Sequence, residues 1–139
     1  MRLTVIIPMY NESARIEQSL RTLHAALSSA LDAADFEILA ANDGSTDETP
    51  AIVSALEQEL PGLRLLNLDR NQGKGGAVQR GMLEAKGAFV LFTDSDLAYG
   101  TDQILLFLEA FEQGKGKAIL VDVAGSLVAS SNLKCRCCS

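Results

Sequence analysis

Cysteine is scarce and gathered in one place: the chain has three, Cys135, Cys137 and Cys138, all at its end. That placement excludes a disulfide framework, so nothing marks the protein as secreted. Thiols this close resemble a fragment of a metal site, but such a site needs about four ligands and the sequence holds no second cluster. A frayed terminus is the expectation. Histidine occurs once, as His24, within a helical pattern and with no partner motif, which leaves little for histidine-centred catalysis. Cations are outnumbered, 12 Lys and Arg against 18 Asp and Glu, for a formal net charge of −6. That balance argues against a general nucleic-acid binder. It does not exclude an anionic ligand, because a metal and backbone donors can hold a phosphate on an acidic protein. Long hydrophobic runs are missing too: none approaches the roughly 18 residues of a membrane-spanning helix. The stretch MRLTVIIPMYNE has a short apolar part, is interrupted by Pro8 and lacks a small-residue cleavage site. It reads as a first strand, not a signal peptide. The expected location is cytoplasmic, extending to a peripheral position at the cytoplasmic face of a membrane.

What is present is the composition of a soluble globular protein, 47% hydrophobic and 22% charged, with 139 residues that fit one domain. The chain is organised around Phe89 to Asp96, FVLFTDSD. Phe89, Val90, Leu91 and Phe92 suit a buried strand. Asp94 and Asp96 follow, and in an extended backbone side chains two apart point the same way. Both carboxylates are therefore expected on one side of the chain where the strand leaves the core. Hard oxygen ligands there suit Mg²⁺ or Mn²⁺, which takes its remaining ligands from water and substrate phosphates. Taken alone, Asp-x-Asp is more simply a solvated acidic loop.

Other strand ends carry polar motifs as well. Leu3 to Ile7 is a continuous apolar run, as in a strand buried on both faces, and is expected to stop at Pro8. Pro8, Tyr10, Asn11 and Glu12 form the loop after it, where ligands of open α/β sheets bind. Tyr10 offers a flat face for a base and Glu12 an acceptor; Asn11 or Ser13 is expected to cap the next helix. That helix shows an apolar stripe at Ile16, Leu20, Leu23, Leu27 and Leu31. Phe36 to Ala41 reads as a second strand, which sets Asp43 beside the first loop. Ser45 with Glu48 fits a capping box, and Thr49 with Pro50 fits a cap followed by Pro, so two helix starts stay open. Ile52, Val53, Leu56 and Leu60 supply that helix's buried face. After a third strand at Leu63 to Leu68, the glycines around Lys74 lead into a helix with Ala77, Val78, Met82 and Ala85 on one side. Exposed N–H groups at its start, with Lys74, make an anion site, although the spacing is not that of a Walker P-loop. Gly87 is expected to end this helix. A further helix at Ile104, Leu105, Leu108 and Phe111 and a last strand at Ala118 to Val123 complete the pattern. Strand–helix alternation implies an α/β fold with a right-handed, doubly wound, mostly parallel sheet and ligands at one edge. The expected domain is 1–124, with an irregular tail at 125–139.

The motifs in order carry a resemblance. Pro8, Tyr10, Asn11 and Glu12, then Asn42 to Thr49 (NDGSTDET), then Asn71 to Met82 (NQGKGGAVQRGM), then Phe92 to Asp96 (FTDSD), resemble family 2 glycosyltransferases of the Rossmann-like GT-A fold. The third and fourth look most like the dolichyl-phosphate β-glucosyltransferase group and its bacterial polyprenyl-phosphate relatives. The resemblance covers about residues 3 to 123. It implies inverting transfer of a sugar, glucose from UDP-glucose, to a polyprenyl or dolichyl phosphate. It also implies that Pro8, Tyr10, Glu12 and Asp43 line a nucleoside pocket and that Lys74 sits near the ribose or diphosphate. Asp94 would contact the ribose or a metal-bound water, and Asp96 would bind Mg²⁺ or Mn²⁺ at the diphosphate.

Two features depart from the family pattern. Asn42 stands where many members have the first of two Asp residues before Gly-Ser. The family continues with a Gly-Ser-Arg segment and an acceptor-binding half, whereas this chain has Gly125-Ser126-Leu127 and stops at Ser139. The expectation is a truncated or frame-shifted product, with a non-catalytic nucleotide-sugar-binding fragment as the alternative function. A phosphotransferase with an Asp-x-Asp nucleophile fits less well, because its pair belongs on the first strand.

Overall fold

A computed structural model describes residues 3–95, 104–105, 120–122 and 126–127. Its strands are β1 (Leu3–Met9), β2 (Phe36–Asn42), β3 (Leu63–Asn67), β4 (Phe89–Phe92), β5 (Leu120–Asp122) and β6 (Ser126–Leu127). Three helices alternate with the first four strands: α1 (Ile16–Ala30), α2 (Thr49–Glu57) and α3 (Gly73–Glu84). The sheet order is β3-β2-β1-β4-β5-β6, parallel from β3 through β5, with β6 antiparallel to β5. β6 falls in the stretch expected to be an irregular tail. The cysteines, Asp96, and the loop and most of the helix expected after it lie outside the described residues.

Alternation in the strands sorts the core into two layers. Leu3, Val5, Ile7 and Met9 of β1, with Phe36, Ile38 and Ala40 of β2, pack against Ile16, Leu20, Leu23 and Leu27 of α1 and Val53 and Leu56 of α2. This is the helical stripe expected from the sequence, and Leu31 and Ile104 join the same core. The opposite face receives α3, whose Ala77 packs with Ala41 and Leu68. Gly81 lets α3 approach closely, since a Cβ there would meet Ile6 Cγ2 at 2.7 Å. A sheet covered on both faces explains why β1 and β2 are apolar at most positions, Thr4, Glu37 and Asn42 aside.

Three boundary expectations need correction. β1 continues through Pro8 to Met9. The Thr93 N–H donates to the Ile6 carbonyl, so even-numbered β1 residues bond toward β4. That ladder ends at the Ile6–Phe92 pair, so the N–H that Pro8 lacks would have had no strand partner there. Gly87 does not end α3, which stops at Glu84 with Ala85 extended. It instead lies against β1, where a Cβ would sit 2.6 Å from the Thr4 nitrogen. Finally, neither expected side-chain cap forms on α1 or α2. The side chains of Asn11, Ser45 and Thr49 are used between the loops instead, as described below.

At the amino-terminal side of the strands, buried Glu37 accepts hydrogen bonds from Thr4 Oγ1 (2.8 Å), Lys86 N–H (2.7 Å) and Arg64 Nη2 (3.3 Å). Gly87 N–H donates to Thr4 Oγ1 at 2.9 Å. The network ties the α3–β4 connection to the sheet, far along the strands from their carboxyl ends.

Candidate functional site

The register brings four strand ends to one edge. Met9 pairs with Asn42, Asn42 with Asn67, and Ile6 with Phe92. The chain then crosses, through α3, from β3 on one side of β1 to β4 on the other. This reversal opens a crevice beyond the carboxyl ends of β1 and β4, the usual ligand position in such sheets.

A cavity of about 280 Å³ lies there, and Pro8, Tyr10, Glu12, Asp43, Lys74 and Asp94 all line it. Residues chosen from four separate motifs are thus brought together. Met9, Arg15 and Ser95 complete the lining. Tyr10 is 47% exposed, which leaves a ring face open. Asp43 is buried, and its Oδ1 accepts the Gln72 N–H at 2.6 Å, fixing the entry to α3. Gly44 follows at φ 75°, and a Cβ there would stand 2.8 Å from the Asn71 nitrogen. Only a residue without a side chain closes that turn comfortably. Asn42 bonds Asn67 Oδ1 through Nδ2 (2.9 Å) and accepts the Ser45 N–H (3.1 Å). The departure from the acidic family pattern thus serves to hold the turn.

Lys74 and Asp94 were expected separately, and the structure pairs them. Lys74 Nζ lies 2.5 Å from Asp94 Oδ1 and 5.8 Å from the centroid of the Phe92 ring. Both side chains are about half exposed. Arg15, overlooked in the sequence, pairs with Glu12 at 2.7 Å. Its position three residues after Glu12, beside a helix start, was the available signal. The carboxylates lining the cavity are hard oxygen donors, suited to Mg²⁺ or Mn²⁺ and not to a soft metal. Among the described residues no group of three or more His, Cys, Asp or Glu forms a ready metal cluster, so a cation at Asp94 needs oxygens from elsewhere. Asp96, the other half of the pair, is outside the described residues.

A second set of residues stands behind the lining. Asn11 has φ 51°. Its Oδ1 accepts from Thr46 N–H (2.8 Å), Thr46 Oγ1 (3.4 Å) and Asp47 N–H (3.3 Å), while its own N–H donates to Ser45 Oγ (3.0 Å). Glu12 N–H donates to Thr49 Oγ1 at 2.9 Å, and Ser13 N–H to Asp47 Oδ2 at 3.2 Å. Asp47 Oδ1 accepts from Thr49 N–H (2.9 Å) and Thr49 Oγ1 (2.5 Å). The Thr49 hydroxyl above all, with the Thr49 and Ser13 N–H groups, holds the Asp47 carboxyl at about 2, below its ordinary 3.8. Sequence reasoning took Asn11, Ser13, Ser45 and Thr49 for helix caps, because a cap and a cross-loop bond use the same residue types. His24 is structural: its Nε2 meets the Pro61 carbonyl at 2.8 Å and its ring stands edge-on to Phe36.

The family described as glycosyl transferase family 2 matches residues 4–130. The chain is 42% identical over 103 residues to dolichyl-phosphate beta-glucosyltransferase ALG5C of Trichomonas vaginalis, covering 72% of this chain and 31% of that protein. S. aureus TarS 1-349, solved in complex with UDP-GlcNAc, superposes with a TM-score of 0.66 at 29% identity, covering 82% of this chain and 32% of that one. The mannosyltransferase PcManGT from Pyrobaculum calidifontis, solved with GDP-Man and Mn²⁺, gives a TM-score of 0.61 at 30% identity, covering 74% and 30%. The chain spans about a third or less of the length of these relatives.

Proposed function

This chain belongs to glycosyl transferase family 2, with the Rossmann-like GT-A fold, and from that premise we propose that its cavity holds a nucleotide-sugar donor. The donor proposed is UDP-glucose, for inverting transfer of glucose to a polyprenyl or dolichyl phosphate. The observation that carries the reading is the convergence of Pro8, Tyr10, Glu12, Asp43, Lys74 and Asp94 on one crevice. The names of the relatives, a dolichyl-phosphate glucosyltransferase and enzymes solved with UDP-GlcNAc or GDP-Man, support the substrate class.

In this reading Tyr10 stacks on the base, and Glu12 and Asp43 accept hydrogen bonds from the nucleoside. Lys74 pairs with the diphosphate, near the helix start of α3 whose N–H groups favour an anion. Asp94 and Asp96 hold Mg²⁺ or Mn²⁺, which when bound neutralises charge on the departing nucleoside diphosphate. A lipid phosphate is already an anion, so the chain need not supply a strong general base.

Calorimetric titration with UDP-glucose and Mn²⁺ tests the site. Wild type is expected to bind and Asp96→Ala to bind much more weakly; equal binding, or none by either, defeats the assignment. Glucosyl-lipid formation by the chain from UDP-glucose and dolichyl phosphate separates a transferase from a module that only binds donor.

A further inference from the structure

The cavity's proposed nucleoside side is assembled from two loops, and among the described residues no cavity-lining side chain bonds one loop to the other. Tyr10 and Glu12 come from the loop after β1, and Asp43 from the start of the loop after β2. Beyond the ladder bond from the Asp43 N–H to the Met9 carbonyl, the joining is done by the side chains of Asn11, Ser45, Asp47 and Thr49, none of which lines the cavity. Asn11 lies between Tyr10 and Glu12 in a left-handed conformation that Gly, Asn and Asp adopt readily and other residues do not. One oxygen of its side chain collects three donors from the second loop. In return, the N–H groups of Asn11, Glu12 and Ser13 all end on Ser45, Thr49 and Asp47. Asp47 receives bonds from both sides, Ser13 on one oxygen and Thr49 on the other.

We propose that Asn11 and Asp47 are positioning residues that lock these two loops together and so preset how Tyr10, Glu12 and Asp43 face the nucleoside. The inference rests on the donor site proposed above. It assigns nucleoside affinity in part to residues that do not touch the ligand. The diphosphate end is built differently, from Lys74 at the start of α3 and Asp94 after β4, which pair with each other and not with Asn11 or Asp47. The two ends of the ligand should therefore respond differently when the brace is cut.

The test titrates the full chain, in the presence of Mn²⁺, with UDP and separately with inorganic pyrophosphate. Asn11→Gly keeps the left-handed backbone and removes the acceptor. Asn11→Asp keeps both. Asn11→Gly is expected to weaken UDP binding about tenfold or more, as loss of shared hydrogen bonds should. Pyrophosphate binding should stay unchanged, and Asn11→Asp should bind UDP nearly as wild type does. Asp47→Asn, which alters only one oxygen of the hub, repeats the test with less risk to folding and should weaken UDP in the same selective way. UDP binding by Asn11→Gly and Asp47→Asn at the wild-type level overturns the proposal, and so does a parallel loss of UDP and pyrophosphate. Failure of wild type to bind UDP removes the donor site itself, a distinct result that takes this proposal with it.

Discussion

Lys74 Nζ rests 2.5 Å from Asp94 Oδ1, so the cation at the start of α3 neutralises the carboxylate that follows β4. A diphosphate and a divalent cation would each claim one member of that pair. Lys74→Met is expected to weaken UDP binding by about 1.5–3 kcal/mol, the scale of a hydrogen bond to a charged group. It should also strengthen binding of Mn²⁺ without nucleotide, because the metal no longer competes with an ammonium for Asp94. Calorimetry with each ligand alone reads both effects; a variant that weakens both ligands contradicts the exchange.

Asp47 gives the protein an acid-sensitive joint. Its carboxyl is held at about 2 against an ordinary 3.8, first by the Thr49 hydroxyl. A depressed folded-state value means the contribution is fully present above 3.8 and is lost as pH falls through about 2. Thermal midpoints of wild type and Asp47→Asn should differ at neutral pH and converge over that interval. A gap that stays constant down to the low end of the window would show that the charge does not matter.

Three glycines should answer differently to the same substitution. Gly81→Ala places a methyl 2.7 Å from Ile6 Cγ2, and Gly87→Ala places one 2.6 Å from the Thr4 nitrogen. Overpacking of this kind costs about 1–3 kcal/mol. Gly87→Ala should be the worse, since its obstacle includes backbone that cannot turn aside. Gly75→Ala meets nothing within 4 Å inside α3 and should stabilise by roughly 0.5–1 kcal/mol. Urea denaturation of the three variants checks the order.

Glu37 supports the fold from the far end of the strands. Glu37→Leu leaves the buried Thr4 Oγ1 without its acceptor, at a cost on the order of 1–3 kcal/mol, and the part-buried Lys86 N–H without its own. Ligand affinity of the molecules that remain folded should not change, because the network is remote from the cavity. Denaturant midpoints together with calorimetry distinguish this from a role in binding.

The sequence by itself determined the elements from β1 to β4 and the buried faces of α1 and α2. The stripe from Ile16 to Leu27 and the apolar runs of β1 and β2 state their burial through periodicity, a local property of helices and strands. It also determined which residues were candidates, since Tyr10, Asp43, Lys74 and Asp94 each follow or precede a recognisable strand or helix end. Only the tertiary structure decided how those residues pair. That Lys74 meets Asp94, that Asn11 bonds Thr46 rather than capping α1, and that Gly87 packs on Thr4 are contacts across 20, 35 and 83 residues of chain. Such contacts are fixed by strand order and register, which bring distant segments to one edge, and no local pattern of side chains encodes which partner a polar group will find there.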